Sequence, residues 1–367
     1  MNPESSSPRP SRRGFLAGMA ATTGAAIGGF GAATRSAGAA APLEGQLVLA
    51  CNGGILEGMF RKLGSTFERK TGTRVSLVIG TSLGNLAKIQ VARNAPEVDV
   101  AFNTDLPHIA GKRAGLFEKL DPTVVTNLSS LYDITRDADD IGAGCLVTAI
   151  GIGYNPEKYR QAGIPAPKSW NDLWDPRLKG RVAVCSFDVT WIQDFLVLIA
   201  RLAGGGEKDV RPGIARIKEL KNNGNLALMP GSPAELENML TQGLAWVTVS
   251  STNRSYILKS HGFPFEFVYP QEGASLTGNW IDVIKNAPHP HAAQAFADHM
   301  LSEEGQAILA ENYYGPANRK VVLPPDLAAA VPYGHERIAS LVPLDRARMN
   351  EELDHWNELY NREIAAR

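Results

Sequence analysis

Three short stretches hold the polar residues best suited to receive a small molecule: Cys51-Asn52-Gly53-Gly54, Gly80-Thr81-Ser82-Leu83-Gly84-Asn85 and Asn103-Thr104-Asp105. Glycine lets main chain come close to a ligand, while Ser, Thr and Asn offer neutral donors and acceptors. Where such a stretch opens a helix, the free amides of the first turn suit a carboxylate or a phosphate. Covalent chemistry has less to work with. The chain contains no Gly-x-Ser-x-Gly elbow, no Walker loop and no His-Glu-x-x-His, and no Gly-x-Gly-x-x-Gly follows the first strand. His289-Pro290-His291 lacks clustered acids and reads as a surface loop. Cys51, Cys145 and Cys185 cannot all pair and match no zinc or redox spacing, so they read as buried free thiols. These residue types point to binding, with no cofactor and no metal expected.

The elements around these stretches alternate. Gln46 to Ala50 is a short apolar strand, and Cys51 ends it. Ile55, Leu56, Met59, Phe60, Leu63 and Phe67 recur at helical spacing until Thr71-Gly72 stops them. Arg74 to Ile79 is a strand, Leu83 to Arg93 a helix and Val98 to Phe102 a strand. This β-α-β-α-β order predicts a parallel sheet covered by helices, with ligands beyond the carboxyl ends of the strands. Cys145 to Tyr154 is a long β run, and Gly151 and Gly153 would ease a bend where it crosses between domains. Ser169-Trp170-Asn171-Asp172 opens a helix with a capping-box pattern, its tryptophans serving packing. Further strands are predicted at Arg181 to Cys185, Leu244 to Val249, Phe265 to Tyr269 and Trp280 to Ile284. Helices are predicted at Trp191 to Leu202, Ile214 to Asn222, His291 to Leu301, Glu303 to Glu311 and Asp345 to Ile364. Two α/β lobes with at least two chain crossings result.

The N-terminus says where such a protein works. Ser11-Arg12-Arg13-Gly14-Phe15-Leu16 precedes an uncharged, Gly-rich run from Ala17 to Gly31, the layout of a twin-arginine export signal. That run is short and weakly apolar beside the ~20 residues a spanning helix needs. Ala37-Gly38-Ala39 and Ala39-Ala40-Ala41 both fit small-residue cleavage, so the exported chain begins near Ala40 to Pro42. Val48-Leu49-Ala50-Cys51 is a poor lipoprotein box, because Glu44 and Gln46 interrupt its apolar flank. The four arginines and one glutamate of residues 1–41 leave the remainder at a formal charge of −4, no basis for binding nucleic acid or an anionic membrane.

The segment Lys168-Ser169-Trp170-Asn171-Asp172-Leu173-Trp174-Asp175-Pro176 through Lys179-Gly180-Arg181 resembles the signature of type II periplasmic solute-binding proteins of ABC importers. Within them it is most similar to the spermidine/putrescine-binding branch. Phe67-Glu68-Arg69-Lys70-Thr71-Gly72, Gly151-Ile152-Gly153-Tyr154-Asn155, Trp280-Ile281-Asp282 and Tyr313-Tyr314-Gly315-Pro316-Ala317-Asn318 extend the resemblance from about Gly45 to the end.

The resemblance implies a two-lobed periplasmic-binding-protein fold, each lobe a mainly parallel sheet flanked by helices, with the ligand in the cleft between them. It implies a monomeric, periplasmic, non-enzymatic receptor that closes by a hinge and delivers its solute to an inner-membrane ABC permease. The expected lobes are 43–148 with 284–318, and 149–283 with 319–367. By position, Trp280 would stack on a methylene chain, Asp282 would pair an amine with help from Asp105 or Asp188, and Tyr314 would line the pocket. Asn52, Gly53, Ser82, Thr104 and Ser251 complete the expected ligand set. Ser251 stands where polyamine binders carry a second cleft tryptophan, and Leu106-Pro107 where they carry tyrosines. Ser250-Ser251-Thr252-Asn253 replaces the tyrosine pair of iron-binding relatives. Arg346 stands near a neutral polar position, where a cation would repel an amine. A polyamine or other amine is therefore the favoured ligand, with a carboxylate or other anion as the alternative.

Overall fold

The computed structural model describes residues 42–365; the expected export signal at 1–41 lies outside them. Ten strands form one sheet: β1 (Gln46–Asn52), β2 (Arg74–Gly80), β3 (Val100–Thr104), β4 (Ala143–Tyr154), β5 (Val182–Ala183), β6 (Leu226–Leu228), β7 (Val247–Ser251), β8 (Glu266–Val268), β9 (Ser275–Val283) and β10 (Gly315–Pro316). The order is β2-β1-β3-β9-β4-β7-β5-β6, with β8 and β10 also pairing β4. At one end β1 runs parallel to β2 and β3; at the other, β5 runs parallel to β6 and β7. Between them β9 is antiparallel to β3 and β4, and β4 is antiparallel to β7. The inner strands of the parallel ends, β1, β3, β5 and β7, are largely buried, while the edge strands β2 and β6 stay partly exposed.

The apolar interior falls into two main clusters. One gathers Leu47, Leu49, Phe60, Phe102, Ala149, Phe296 and Leu309, and reaches Ile338 and Leu341. The other gathers Ile150, Ile152, Trp170, Phe195, Leu196, Trp356 and Tyr360. They meet inside β4, whose twelve residues are all buried, between Ala149 and Ile150.

Local sequence explains most element ends. The first helix, Ile55–Thr71, stops at Gly72, which takes the left-handed conformation (φ 78°) that closes a helix with little strain. Ser169 forms the expected capping box with Asp172, although the helix it caps is a short 3-10 turn, Trp170–Trp174. Gly151 and Gly153 also make room for neighbouring chain. A Cβ at Gly151 would sit 2.5 Å from the Val268 carbonyl oxygen, and one at Gly153 would sit 2.6 Å from the Phe265 ring. They let β8 and its flank lie against β4. Cys51, Cys145 and Cys185 are buried free thiols, and burial pushes all three above their ordinary range.

Candidate functional site

The polar loops converge where strand ends meet helix starts. β1 ends at Asn52, whose amide oxygen accepts from the Ser82 hydroxyl (3.0 Å). The Thr104 amide in turn donates to the Ser82 oxygen (3.3 Å), tying the three loops of one lobe into one rim. Thr81 caps the Ser82–Val91 helix by accepting from the Gly84 amide (3.1 Å). From the other lobe come the start of the Thr190–Leu202 helix and the end of β7, where the Ser251 hydroxyl donates to the Asn253 side chain (2.7 Å).

A cavity of about 770 Å³ lies between these edges. Asn52, Ser82, Thr104, Asp105, Asp188, Ser251 and Tyr314, all expected in the site, line it. Gly53 is not among the lining residues; a Cβ there would sit 2.7 Å from the Ile79 side chain. Thr148, Thr190, Trp191, Asn279 and Asn350 also face the cavity and were not foreseen. The signals existed: Thr148 is a polar residue inside an apolar strand, and Thr190 and Trp191 open a helix after β5, where the sheet rule puts ligands. The Thr252–Ser260 helix was missed entirely, since its polar and apolar residues follow no clear helical face.

Trp280 and Asp282 are not brought to this cavity. They share one face of β9, as residues two apart in a strand must. That face packs on the Asp105–Arg113 helix: the Trp280 ring stacks on His108 with centroids 4.0 Å apart and planes 4° apart. Its indole N–H donates to Asp105 Oδ1 (2.8 Å). Asp282 is fully buried; His108 Nδ1 lies 2.8 Å from Oδ1, and the Asn103 amide donates to Oδ2 (2.8 Å). Both polar ends are therefore already engaged inside one lobe.

The cavity charges are mostly paired. Arg346, first residue of the Arg346–Tyr360 helix, forks onto Asp194, with Nη2 donating to Oδ2 at 2.8 Å. Its Nε lies 3.4 Å from Asp105. Burial opposes the charge on Arg346, but Asp194 and then Asp105 outweigh it and raise its pKa above the ordinary value. Arg254 pairs with Glu237 at 3.2 Å and stays a third exposed toward the cavity. Burial pushes the Tyr314 hydroxyl up, and Arg254 and Asn253 pull part of the way back. Asp188 is exposed and carries no ion pair or hydrogen bond among the described residues. The helices Ile55–Thr71, Ser82–Val91, Asp105–Arg113, Thr190–Leu202 and Thr252–Ser260 all open on this space. The wall thus sets neutral donors and acceptors at helix N-termini beside the paired Asp105, Arg254 and Arg346 and the unpaired Asp188, an arrangement that can hold a small polar molecule.

A family model of bacterial extracellular solute-binding proteins matches residues 62–333. The chain belongs to that family. The putrescine/agmatine-binding protein of Pseudomonas aeruginosa is 26% identical over 323 residues, covering 78% of this chain and 84% of its own. A putative extracellular solute-binding protein from Bordetella parapertussis superposes with a TM-score of 0.78 at 24% identity, covering 88% of this chain and 99% of that one. The periplasmic binding protein AfuA from Actinobacillus pleuropneumoniae, solved with fructose-6-phosphate, superposes with a TM-score of 0.66 at 22% identity, covering 88% and 98%. The fold is the two-lobed α/β fold of periplasmic solute-binding proteins, and the chain is the substrate-binding component of an ABC transporter. Membership implies export to the periplasm or cell exterior. No helix among the described residues is long and apolar enough to cross a membrane.

Proposed function

We propose that this protein captures a small polar solute carrying a carboxylate or phosphate in the periplasm and hands it, without chemical change, to an inner-membrane permease. The convergence of five helix N-termini and Arg254 on one cavity carries the reading. Backbone amides and a guanidinium there favour negative charge. The neutral hydroxyls and amides around them suit a polyhydroxylated or carboxylated body, and AfuA's sugar phosphate shows that the fold accommodates such a ligand. The amine reading keeps one specific observation, the unpartnered Asp188 in the cavity, together with the polyamine-binding names of several relatives. Its expected anchors are otherwise occupied: Asp282 is buried against His108 and Asn103, and Trp280 stacks on His108 and donates to Asp105 behind the cavity lining.

The lobes in this proposal divide at β4 and β9, and the expected boundary at 283/284 moves back to about residue 276, because Asn279 to Val283 pair with β3 and Ile281 and Val283 pack in the first cluster. The packing of Ile338 and Leu341 in the first cluster supports moving the last boundary to about residue 341. The protein acts as a monomer, exported by the twin-arginine signal at 1–41. A thermal-shift panel of phosphorylated sugars, small carboxylates and diamines tests the reading. A cognate ligand at a hundred times its Kd adds about 2.7 kcal/mol of stability. Stabilisation by diamines alone would overturn the anion assignment.

A further inference from the structure

We propose that Arg346 sets the charge selectivity of the cleft by acting as a tethered cation in the place an amine ligand would need. The inference rests on the cavity being the ligand site. An ammonium entering this cavity requires a carboxylate to replace its lost hydration. Asp105 is the carboxylate best held for that task. Trp280 Nε1 (2.8 Å), Thr277 Oγ1 (3.2 Å) and the Gly278 amide (3.3 Å) fix it against the wall. The charge partner it lacks is supplied from within the chain by Arg346 at 3.4 Å.

The position of that guanidinium is over-determined. It is bidentate on Asp194, which is fully buried and also accepts from the Ser275 hydroxyl (2.7 Å). Nη2 also donates to the Leu276 carbonyl (2.6 Å). The cation sits at the first residue of a helix, against the helix dipole, so the two carboxylates rather than the helix hold it there. They come from both sides of the cavity: Asp105 from the helix after β3, Asp194 from the Thr190–Leu202 helix. An external amine would meet Asp105 already neutralised and a like charge beside it. An anion meets Arg254 and the helix starts across the cavity, and the like charge it faces, Asp188, is solvent-exposed and so screened.

The test is calorimetry with putrescine and spermidine on the exported chain, the Arg346→Lys variant and the Arg346→Gln/Asp194→Asn double variant. Neutralising both members of the buried pair keeps the interior charge-balanced while leaving Asp105 open. The wild type and Arg346→Lys should give no saturable heat. The double variant, folded by far-UV circular dichroism, should bind putrescine at least tenfold more tightly than the wild type, and adding Asp105→Asn should abolish the gain. Saturable putrescine binding by the wild type overturns the proposal without recourse to any variant. So does a folded double variant that gains nothing. A wild type that binds an anion beside such an unresponsive variant removes this inference and leaves the proposed function standing. The converse pattern, no anion bound by the wild type and a gain in the variant, does the reverse.

Discussion

Asp282 and Asp194 are both fully buried carboxylates, and their neighbours give them opposite uses. Asp282 meets an imidazole and an amide within one lobe, behind the Trp280 ring. Asp194 meets a guanidinium whose other side faces the cavity. The first pair is finished within the core, and the second extends the core's charge balance to the ligand space through Arg346 and Asp105. A buried carboxylate is thus defined by what neutralises it, and here the neutralising group decides whether the site can feel it.

The comparison predicts a graded set of outcomes. Asp194→Ala leaves the Arg346 guanidinium buried without its main partner and should cost about 3–5 kcal/mol in urea unfolding, with ligand affinity disturbed as well. A loss under about 1 kcal/mol would mean that the pair is not desolvated as described. Arg254→Ala should weaken an anionic ligand by about 10- to 100-fold, the size of a hydrogen bond to a charged group, with little effect on stability. Tighter binding in that variant would favour an amine.

Asp282→Asn separates the two carboxylates most cleanly. Stability should fall by about 1–3 kcal/mol as the His108 and Asn103 contacts are spoiled, while affinity stays within about twofold. A sharp loss of affinity with stability intact would return Asp282 to the site. The smallest effect concerns pH. Burial holds His299 below its ordinary 6.5, with Lys70 acting in the same direction. The folded chain therefore takes up that proton less readily than the unfolded one, so stability is full above about pH 6.5 and declines as pH falls below it. His299→Gln should flatten that decline in pH-dependent thermal melts; an unchanged slope would exclude His299 as its source.

Much of the scaffold was legible because it is local. The stop at Gly72, the capping box at Ser169 and the loops at Asn52, Ser82 and Asp105 depend on residues a few positions apart. The two carboxylates were not, because their partners lie far away in sequence: His108 is 174 residues from Asp282, and Arg346 is 152 from Asp194. Period-two alternation along β9 could have shown that Trp280 and Asp282 share a face, but not that the Asp105–Arg113 helix covers it. The Thr252–Ser260 helix escaped because packing against β4 and β8, rather than an apolar stripe, holds it.

The central claim is that the cavity between the lobes takes an anionic solute. Calorimetry of the exported chain against matched panels of sugar phosphates, small carboxylates and diamines, at low and high salt, tests it most directly. The account predicts saturable heat with at least one anion, weakened by salt and by Arg254→Ala, and none with putrescine or spermidine. Saturable binding of a diamine, with every anion silent, would contradict it.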